Sequence, residues 1–215
     1  MKIVCCLPGN NYSGNFLDRW TEFFAYCMNQ GIEVMVSRKE SCNIYYVRNM
    51  CLGADVARGK NQKPFDGKVD YDYLMWIDSD MVFTPAQFQR LLNHQKDIVA
   101  GIYSMADGKQ FATVPEWDEE YFKVNGCFKF LAKEDLTKAS GLMKVSYTGM
   151  GFMLVRKGVF EAMEYPWFKP LEKQIGDMVD FTMEDVCFCL RAKEAGFDVW
   201  VDPAVIVGHE KKIVM

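Results

Sequence analysis

Residues 73–81 read Tyr73-Leu74-Met75-Trp76-Ile77-Asp78-Ser79-Asp80-Met81, and the fold turns on how this stretch is read. Five apolar or aromatic residues run without a break into two carboxylates two positions apart. A short continuous apolar run ending at polar residues is the pattern of a strand buried on both faces. In open α/β sheets, ligands bind in the crevice beyond the C-terminal ends of such strands, which is where Asp78 and Asp80 stand. Positions i and i+2 of an extended segment share a side, so both carboxylates are expected to point into that crevice. Two carboxylates so close repel each other unless a cation joins them. A hard divalent ion with oxygen ligands, which also takes diphosphate oxygens, is the natural occupant. The competing reading makes Asp78 and Asp80 turn residues ahead of a helix that begins near Pro85.

Working outward, Thr84-Pro85-Ala86-Gln87 spells a capping box with proline at the first helical position. The helix is expected to end before Asp97, and Ile98-Val99-Ala100 reads as another strand. Upstream, Ile3 to Leu7 is an apolar strand stopped by Pro8-Gly9-Asn10-Asn11. Phe16, Trp20, Phe23, Phe24 and Cys27 then recur at helical spacing up to Gly31. Ile32 to Val36 is a second strand, and Ile44, Val47, Cys51 and Ala54 mark a second helix that carries Arg48-Asn49. Residues 58–70 read as loop. This alternation predicts an α/β fold: a largely parallel central sheet flanked by helices. After residue 100 it breaks into short β-like runs. Phe152 to Val155 is expected as a strand, followed by a helix through Phe160 and Met163. Thr182 to Ala195 reads as a helix, and Phe197 to Val201 and Val205 to Val207 as the last strands. No linker composition divides the chain. The expectation is a single domain over 1–215, with a nucleotide-binding half to about residue 100 and an acceptor-binding half after it.

The chain has 215 residues, half of them hydrophobic, and a formal net charge of −4. An acidic chain without a basic block is a poor partner for nucleic acid. No run approaches the roughly 20 apolar residues of a membrane helix. The eight cysteines lie mostly in apolar periodic segments and form no C-x-x-C pair, so they read as reduced core thiols. That points to a soluble protein of an intracellular compartment such as the cytoplasm.

Other residues could carry chemistry. His209 follows the apolar run Val205-Ile206-Val207 and Gly208, where a ligand-facing side chain would lie. It could complete the coordination of a manganese-like ion, with Lys211 and Lys212 neutralising a diphosphate. Alone it reads as a histidine in a basic tail. His94, at the end of a predicted helix, reads as a helix-terminal surface residue. Glu184 and Asp185 open a helix about 100° apart, so one could cap and the other act as general base. Thr182 with Asp185 is itself a capping-box spelling. Arg48 could contact a phosphate or a carboxylate of the site, or be a solvated surface residue. Gly149 and Gly151, ahead of a strand, allow close backbone approach to a ligand or are plain turn residues.

In order and spacing, these residues resemble the GT-A class of nucleotide-sugar glycosyltransferases. The chain is also similar to the glycosyltransferase domain that large algal DNA viruses (chloroviruses) use on their major capsid protein. The resemblance runs from Leu7-Pro8-Gly9-Asn10 through Arg48-Asn49, Asp78-Ser79-Asp80, Gly149 and Gly151 and Glu184-Asp185 to His209. It implies a UDP-sugar donor, a glycan or glycoprotein acceptor, and Mn2+ or Mg2+ as cofactor. Pro8 and Gly9 would border the base. Asp78 would lie near the ribose and reach the metal. Asp80 would be the main metal ligand and His209 the second, and Asp185 or Glu184 the acceptor-side base. Arg48, Ser79, Gly149, Gly151 and Lys211 join the donor-binding set. Inverting and retaining members share this fold and metal site, and the sequence does not choose between them. A viral source would put the protein in the host cytoplasm. Because His209 stands so near Met215, the chain is also expected to be a candidate module of a longer polypeptide. Two other readings compete: a non-catalytic module for sugar nucleotides or glycans, and a sugar-nucleotide pyrophosphorylase. The absence of Lys or Arg from residues 8–14 counts against the pyrophosphorylase.

Overall fold

The computed structural model describes residues 1–138 and 141–211. Strand β1 (Lys2–Pro8) leads to helix α1 (Gly14–Asn29), β2 (Glu33–Lys39) and α2 (Ile44–Cys51). Strand β3 (Tyr73–Ile77), the short β4 (Met81–Val82), α3 (Pro85–Asn93) and β5 (Ile98–Ile102) complete the first half. The second half holds β6 (Thr113–Val114), α4 (Glu119–Asn125), β7 (Met143–Val145), β8 (Tyr147–Thr148) and β9 (Phe152–Arg156). It ends with β10 (Glu172–Ile175), β11 (Met178–Phe181), α5 (Glu184–Glu194), β12 (Val199–Ile206) and β13 (Gly208–His209). Seven strands form one sheet in the order β2-β1-β3-β9-β5-β12-β7.

The β1–β2, β1–β3 and β5–β12 pairs are parallel, whereas β9 runs antiparallel to both β3 and β5, and β7 antiparallel to β12. The strands β1, β2, β3, β5 and β12 therefore point the same way, as the alternating first half predicts. The insertion of β9 between β3 and β5 makes the sheet mixed.

Both sheet faces are covered, which is why the central strands are apolar throughout. Ile3, Cys5, Met75, Ile77, Val99 and Leu154 pack on one side against Phe23 and Cys27 of α1 and Phe88 and Leu91 of α3. Val4, Cys6, Leu74, Trp76, Ala100 and Met153 pack on the other against Cys51 of α2 and Phe188 and Cys189 of α5. Side chains alternate between the two cores along β1, β3, β5 and β9. Each fully buried apolar side chain contributes about 1.5–3 kcal/mol, so the centre of the sheet is far more strongly held than edge strand β2, whose residues are half-buried or exposed. Six cysteines are buried, Cys42 and Cys127 are exposed, and all eight are free thiols. No described helix is long and apolar enough to cross a membrane.

Several local expectations are corrected. The helix through Phe160 and Met163 is only a 3-10 turn over Phe160–Ala162. Pro166 disfavours helix just before it, and Phe160, Trp167 and Phe168 are instead buried as anchors of an irregular segment. The two C-terminal strands are one, β12, with a register shift between Asp202 and Ile206. Helix α4 and the β10–β11 hairpin carry weak signals: α4 buries none of its residues and the hairpin only Ile175. His94 does end α3, but it is half-buried, with Nε2 2.7 Å from Asp202 Oδ2.

Candidate active site

Asp78-Ser79-Asp80 does not continue β3. The Met81 amide donates to the Asp78 carbonyl at 3.1 Å, closing a tight turn. The two carboxylates consequently take separate partners, contrary to the shared side expected of extended chain. Asp78 meets Arg48, whereas Asp80 meets His209 and Lys211.

The register of a short ladder explains the second encounter. β13 pairs antiparallel with β4, setting His209 opposite Met81 and Gly208 opposite Val82. The Glu210 amide then donates to the Asp80 carbonyl at 2.8 Å. Backbone pairing thus carries His209 to the turn, and its Nε2 stands 3.0 Å from Asp80 Oδ2. The other ring nitrogen, Nδ1, is 2.7 Å from the Ser104 carbonyl, which can only accept. A neutral His209 therefore carries its proton on Nδ1 and turns the Nε2 lone pair toward Asp80. The Lys211 ammonium lies 3.2 Å from Asp80 Oδ2 and 2.5 Å from His209 Nε2. Burial works against the Asp80 charge, but His209 and Lys211 outweigh it and hold the carboxyl below its usual range. The hydrogen bond to Asp80 raises the His209 imidazole against the effect of burial, and the Ser104 carbonyl adds to the rise.

Arg48 lies inside the protein. Its side chain is 2% exposed, because α2 packs it with Val47 and Cys51 against the sheet. The guanidinium grips both Asp78 oxygens at 3.0 Å and sends Nε to Glu184 Oε1 at 3.1 Å. It also lies over the Trp76 ring, 5.6 Å from the centroid. Burial alone would lower the guanidinium; the charges of Asp78 and then Glu184 more than reverse this. Of the two partners proposed for Arg48, the structure supplies the carboxylate, and it excludes the solvated surface position.

The partner at Glu184 brings in α5. Thr182 does not cap this helix. Its hydroxyl accepts from the Leu171 amide at 3.1 Å, and Met183 occupies the cap position without a side-chain bond. The capping-box reading of Thr182 and Asp185 is therefore set aside: the β10–β11 arm has claimed the threonine. Glu184 is buried and turned to Arg48. Asp185 is half-buried, and its only hydrogen bond among the described residues is Oδ1 to the adjacent Val186 amide at 2.7 Å. Loss of solvent, and next the Glu184 charge, raise its carboxyl well above the usual range.

The remaining positions have definite places. Pro8 is buried at the end of β1, and Gly9 follows with φ +129°. A Cβ at Gly9 would stand 2.9 Å from Ser79 Oγ, so glycine lets the β1 loop pass directly over the turn. A cavity of about 470 Å3 opens there, lined by Asn11, Tyr12, Ser13, Ser79, Asp80 and Lys211, with Glu210. Gly149 and Gly151 do permit a close approach, but by Tyr103. A Cβ at Gly149 would lie 1.9 Å from Tyr103 Oη, and the Gly151 amide donates to that oxygen at 3.2 Å. Lys212 lies outside the described residues. Sequence reasoning missed Tyr103, Ser104 and Glu210. Glu210 binds Ser13 Oγ at 2.5 Å and Asn15 Nδ2 at 2.7 Å, tying the histidine segment to the start of α1.

Asp80 and His209 suit a divalent cation as a pair of neighbouring ligands. Adjacent corners of an octahedron with bonds of 2.0–2.1 Å lie about 2.9 Å apart, and the two atoms stand 3.0 Å apart. Among the described residues no group of three or more His, Cys, Asp or Glu side chains is arranged around a common metal position. The pair would supply two ligands and leave the rest to substrate oxygens and water, the usual habit of a magnesium-like ion. Asp78, with both oxygens on Arg48, is the weaker candidate ligand.

No protein-family model and no curated protein matches the chain. Solved structures do share its fold. A197 from STIV aligns over 100% of this chain and 97% of its own, at 15% identity and a TM-score of 0.51. The catalytic domain of Drosophila beta1,4-galactosyltransferase 7, solved with xylobiose, aligns over 98% of this chain and 71% of its own, at 13% identity and a TM-score of 0.51. A mutant of that enzyme, solved with manganese, UDP-Gal and xylobiose, aligns equally well. A glycosyltransferase involved in glycosylation of the major capsid of PBCV-1 covers 74% of this chain at a TM-score of 0.34, a value too low to carry weight. At such identities the likeness shows the fold alone. That fold is the GT-A arrangement which the sequence resembles: among the described residues, a seven-stranded mixed sheet flanked by five helices.

Proposed function

We propose that this protein is a divalent-metal-dependent glycosyltransferase that moves a sugar from a nucleoside-diphosphate donor, a UDP-sugar, to a hydroxyl of a glycan or glycoprotein. The observation that carries this reading is the pairing of Asp80 with His209 at the C-terminal edge of the sheet, joined through the Asp78–Arg48–Glu184 bridge to Asp185 on α5. The solved galactosyltransferase of similar fold, which was crystallised with manganese and UDP-Gal, supports it. Asp80 and His209 would hold the cation, Mn2+ or Mg2+, and the cation would supply charge stabilisation to the departing diphosphate. Lys211 would then turn from Asp80 to a phosphate oxygen. Ser79 and Tyr12 line the cavity that would take the nucleotide, and Gly9 packs against Ser79 beside it. Asp185, raised by desolvation and short of hydrogen bonds, is suited to accept the proton of the acceptor hydroxyl. Arg48 fixes the donor-side turn relative to the helix that carries this base.

Calorimetric titration with UDP tests the donor side. UDP is expected to bind with Mn2+ present and to lose about 100-fold or more in affinity without it, or in Asp80→Ala with it, as befits several kcal/mol of lost charge stabilisation. Unchanged, metal-independent UDP affinity in Asp80→Ala would overturn the metal assignment.

A further inference from the structure

A second cavity, of about 250 Å3, adjoins Asp185 without including it, and the residues around that base line its wall: Thr182, Met183 and Val186. Its other walls are aromatic. Trp117 lies 4.2 Å between ring centroids from Phe128, the rings tilted by 41°, and both meet Tyr147 edge-to-face. The polar atoms here are largely engaged: Trp117 Nε1 donates to Glu119, Asp180 Oδ1 accepts from the Phe181 amide, and Thr182 Oγ1 accepts from the Leu171 amide. Tyr147 is 8% exposed; its hydroxyl makes no hydrogen bond to another described residue and keeps contact with solvent. Burial, and next the charges of Asp185 and Cys127, raise that hydroxyl, which places the Asp185 carboxylate within its electrostatic reach.

We infer that this cavity takes a flat apolar ring of the acceptor, an aryl-type aglycone, and that Tyr147 Oη hydrogen-bonds the sugar hydroxyl presented to Asp185. The inference rests on the proposed transferase reading and names the acceptor class for it. The choice of an apolar ring over a second sugar follows from the lining. A polyhydroxylated ring laid against Trp117, Phe128 and Phe130 would turn hydroxyls toward carbon walls, with Tyr147, Thr182, Asp180 and Lys173 as the lining side chains placed to answer them. A phenyl ring has nothing to leave unpaired and gains from the aromatic walls. The volume suits one such ring with a substituent. The exposed Phe181 and Met183 extend the apolar surface at its mouth.

The test is a ligand-observed NMR titration of the intact chain, without nucleotide or metal, using phenyl and methyl β-glycosides of glucose, galactose and xylose. For at least one sugar the phenyl member is expected to bind about 10–60-fold more tightly, the gain from burying roughly 60–100 Å2 of apolar ring. Equal affinities within each pair would overturn the inference. Two perturbations locate the ring without touching the core. Alkylating the exposed Cys127 at the cavity rim, in a Cys42→Ser background, is expected to erase the phenyl preference, as is Met183→Lys. A preference that survives both places the ring elsewhere and refutes the site. Tyr147→Phe is expected to keep the preference while weakening phenyl and methyl members alike by about 10-fold, the loss of one buried hydrogen bond. Unchanged binding in that variant removes Tyr147 from the site. These arms need neither UDP nor metal, so they stay readable if the donor-side titration fails.

Discussion

The turn at Asp80 and the start of α5 at Asp185 each carry a carboxylate, linked through Asp78, Arg48 and Glu184, and they treat it in opposite ways. Asp80 sits on a backbone ladder beside a histidine and a lysine, and these two neighbours hold its carboxyl below its usual range. Asp185 makes no ion pair among the described residues. It has lost solvent and has the Glu184 charge beside it, which pushes its carboxyl up. A carboxylate that must hold a cation profits from the first setting, and one that must take a proton from the second. Environments that drive two acids apart in this way are the mark of a division of labour. Arg48 keeps the two settings distinct, because it neutralises Asp78 and Glu184, the carboxylates that lie between them.

The strongest challenge to this contrast is Asp185→Asn. It is expected to lower kcat by about 10^2–10^4-fold, the range for loss of a general base, while UDP affinity with Mn2+ stays within about twofold. Full activity in that variant would end the role assigned to Asp185. Next in size is Arg48→Met. It strands the buried Glu184 charge and frees Asp78, so urea unfolding should show a loss of about 3–5 kcal/mol. A loss below about 1 kcal/mol would mean that the bridge does not hold the two sides together. The smallest effect concerns pH. A carboxyl raised in the folded state is protonated there when it is already ionised in the unfolded chain. The unfolded state then binds fewer protons, and stability falls as pH rises toward the folded value. Asp185→Asn should therefore be more stable than the parent at neutral pH, by on the order of 1 kcal/mol, and the difference should vanish near pH 3. In the parent, kcat/KM should climb on the acid side with an apparent pKa above the usual carboxylate range. A profile already flat at pH 5 would contradict it.

Much of this arrangement was legible in the residues. Ile3–Leu7, Tyr73–Ile77 and Phe152–Val155 announce themselves because both of their faces are covered, so every position is apolar. The capping box at Thr84 is found as spelled. What was not legible is order and direction in the sheet: nothing in Phe152–Val155 says that it slips antiparallel between β3 and β5. The residue types of the candidate site could be picked out, but their pairing could not. Asp78 and Asp80 look equivalent on paper, and only the turn that closes on the Met81 amide sends them to different partners. Arg48 reads as a surface residue until its helical neighbours Val47 and Cys51 are seen to face the core. Tyr147 carries no motif, and only the fold brings it into the wall of the cavity beside α5.

The β4–β13 ladder has a consequence in time. Asp80 and His209 are 129 positions apart. A ribosome adding about 5–20 residues per second therefore makes the second of them roughly 6–26 s after the first. During that interval the nascent chain can pair β1 with β2 and β3, whereas β5 waits for β9, its neighbour in the sheet, and Asp80 has no imidazole beside it. The Asp80–His209 pair forms only when residues 208–210 dock along β4, so on the proposed assignment metal affinity waits for that docking.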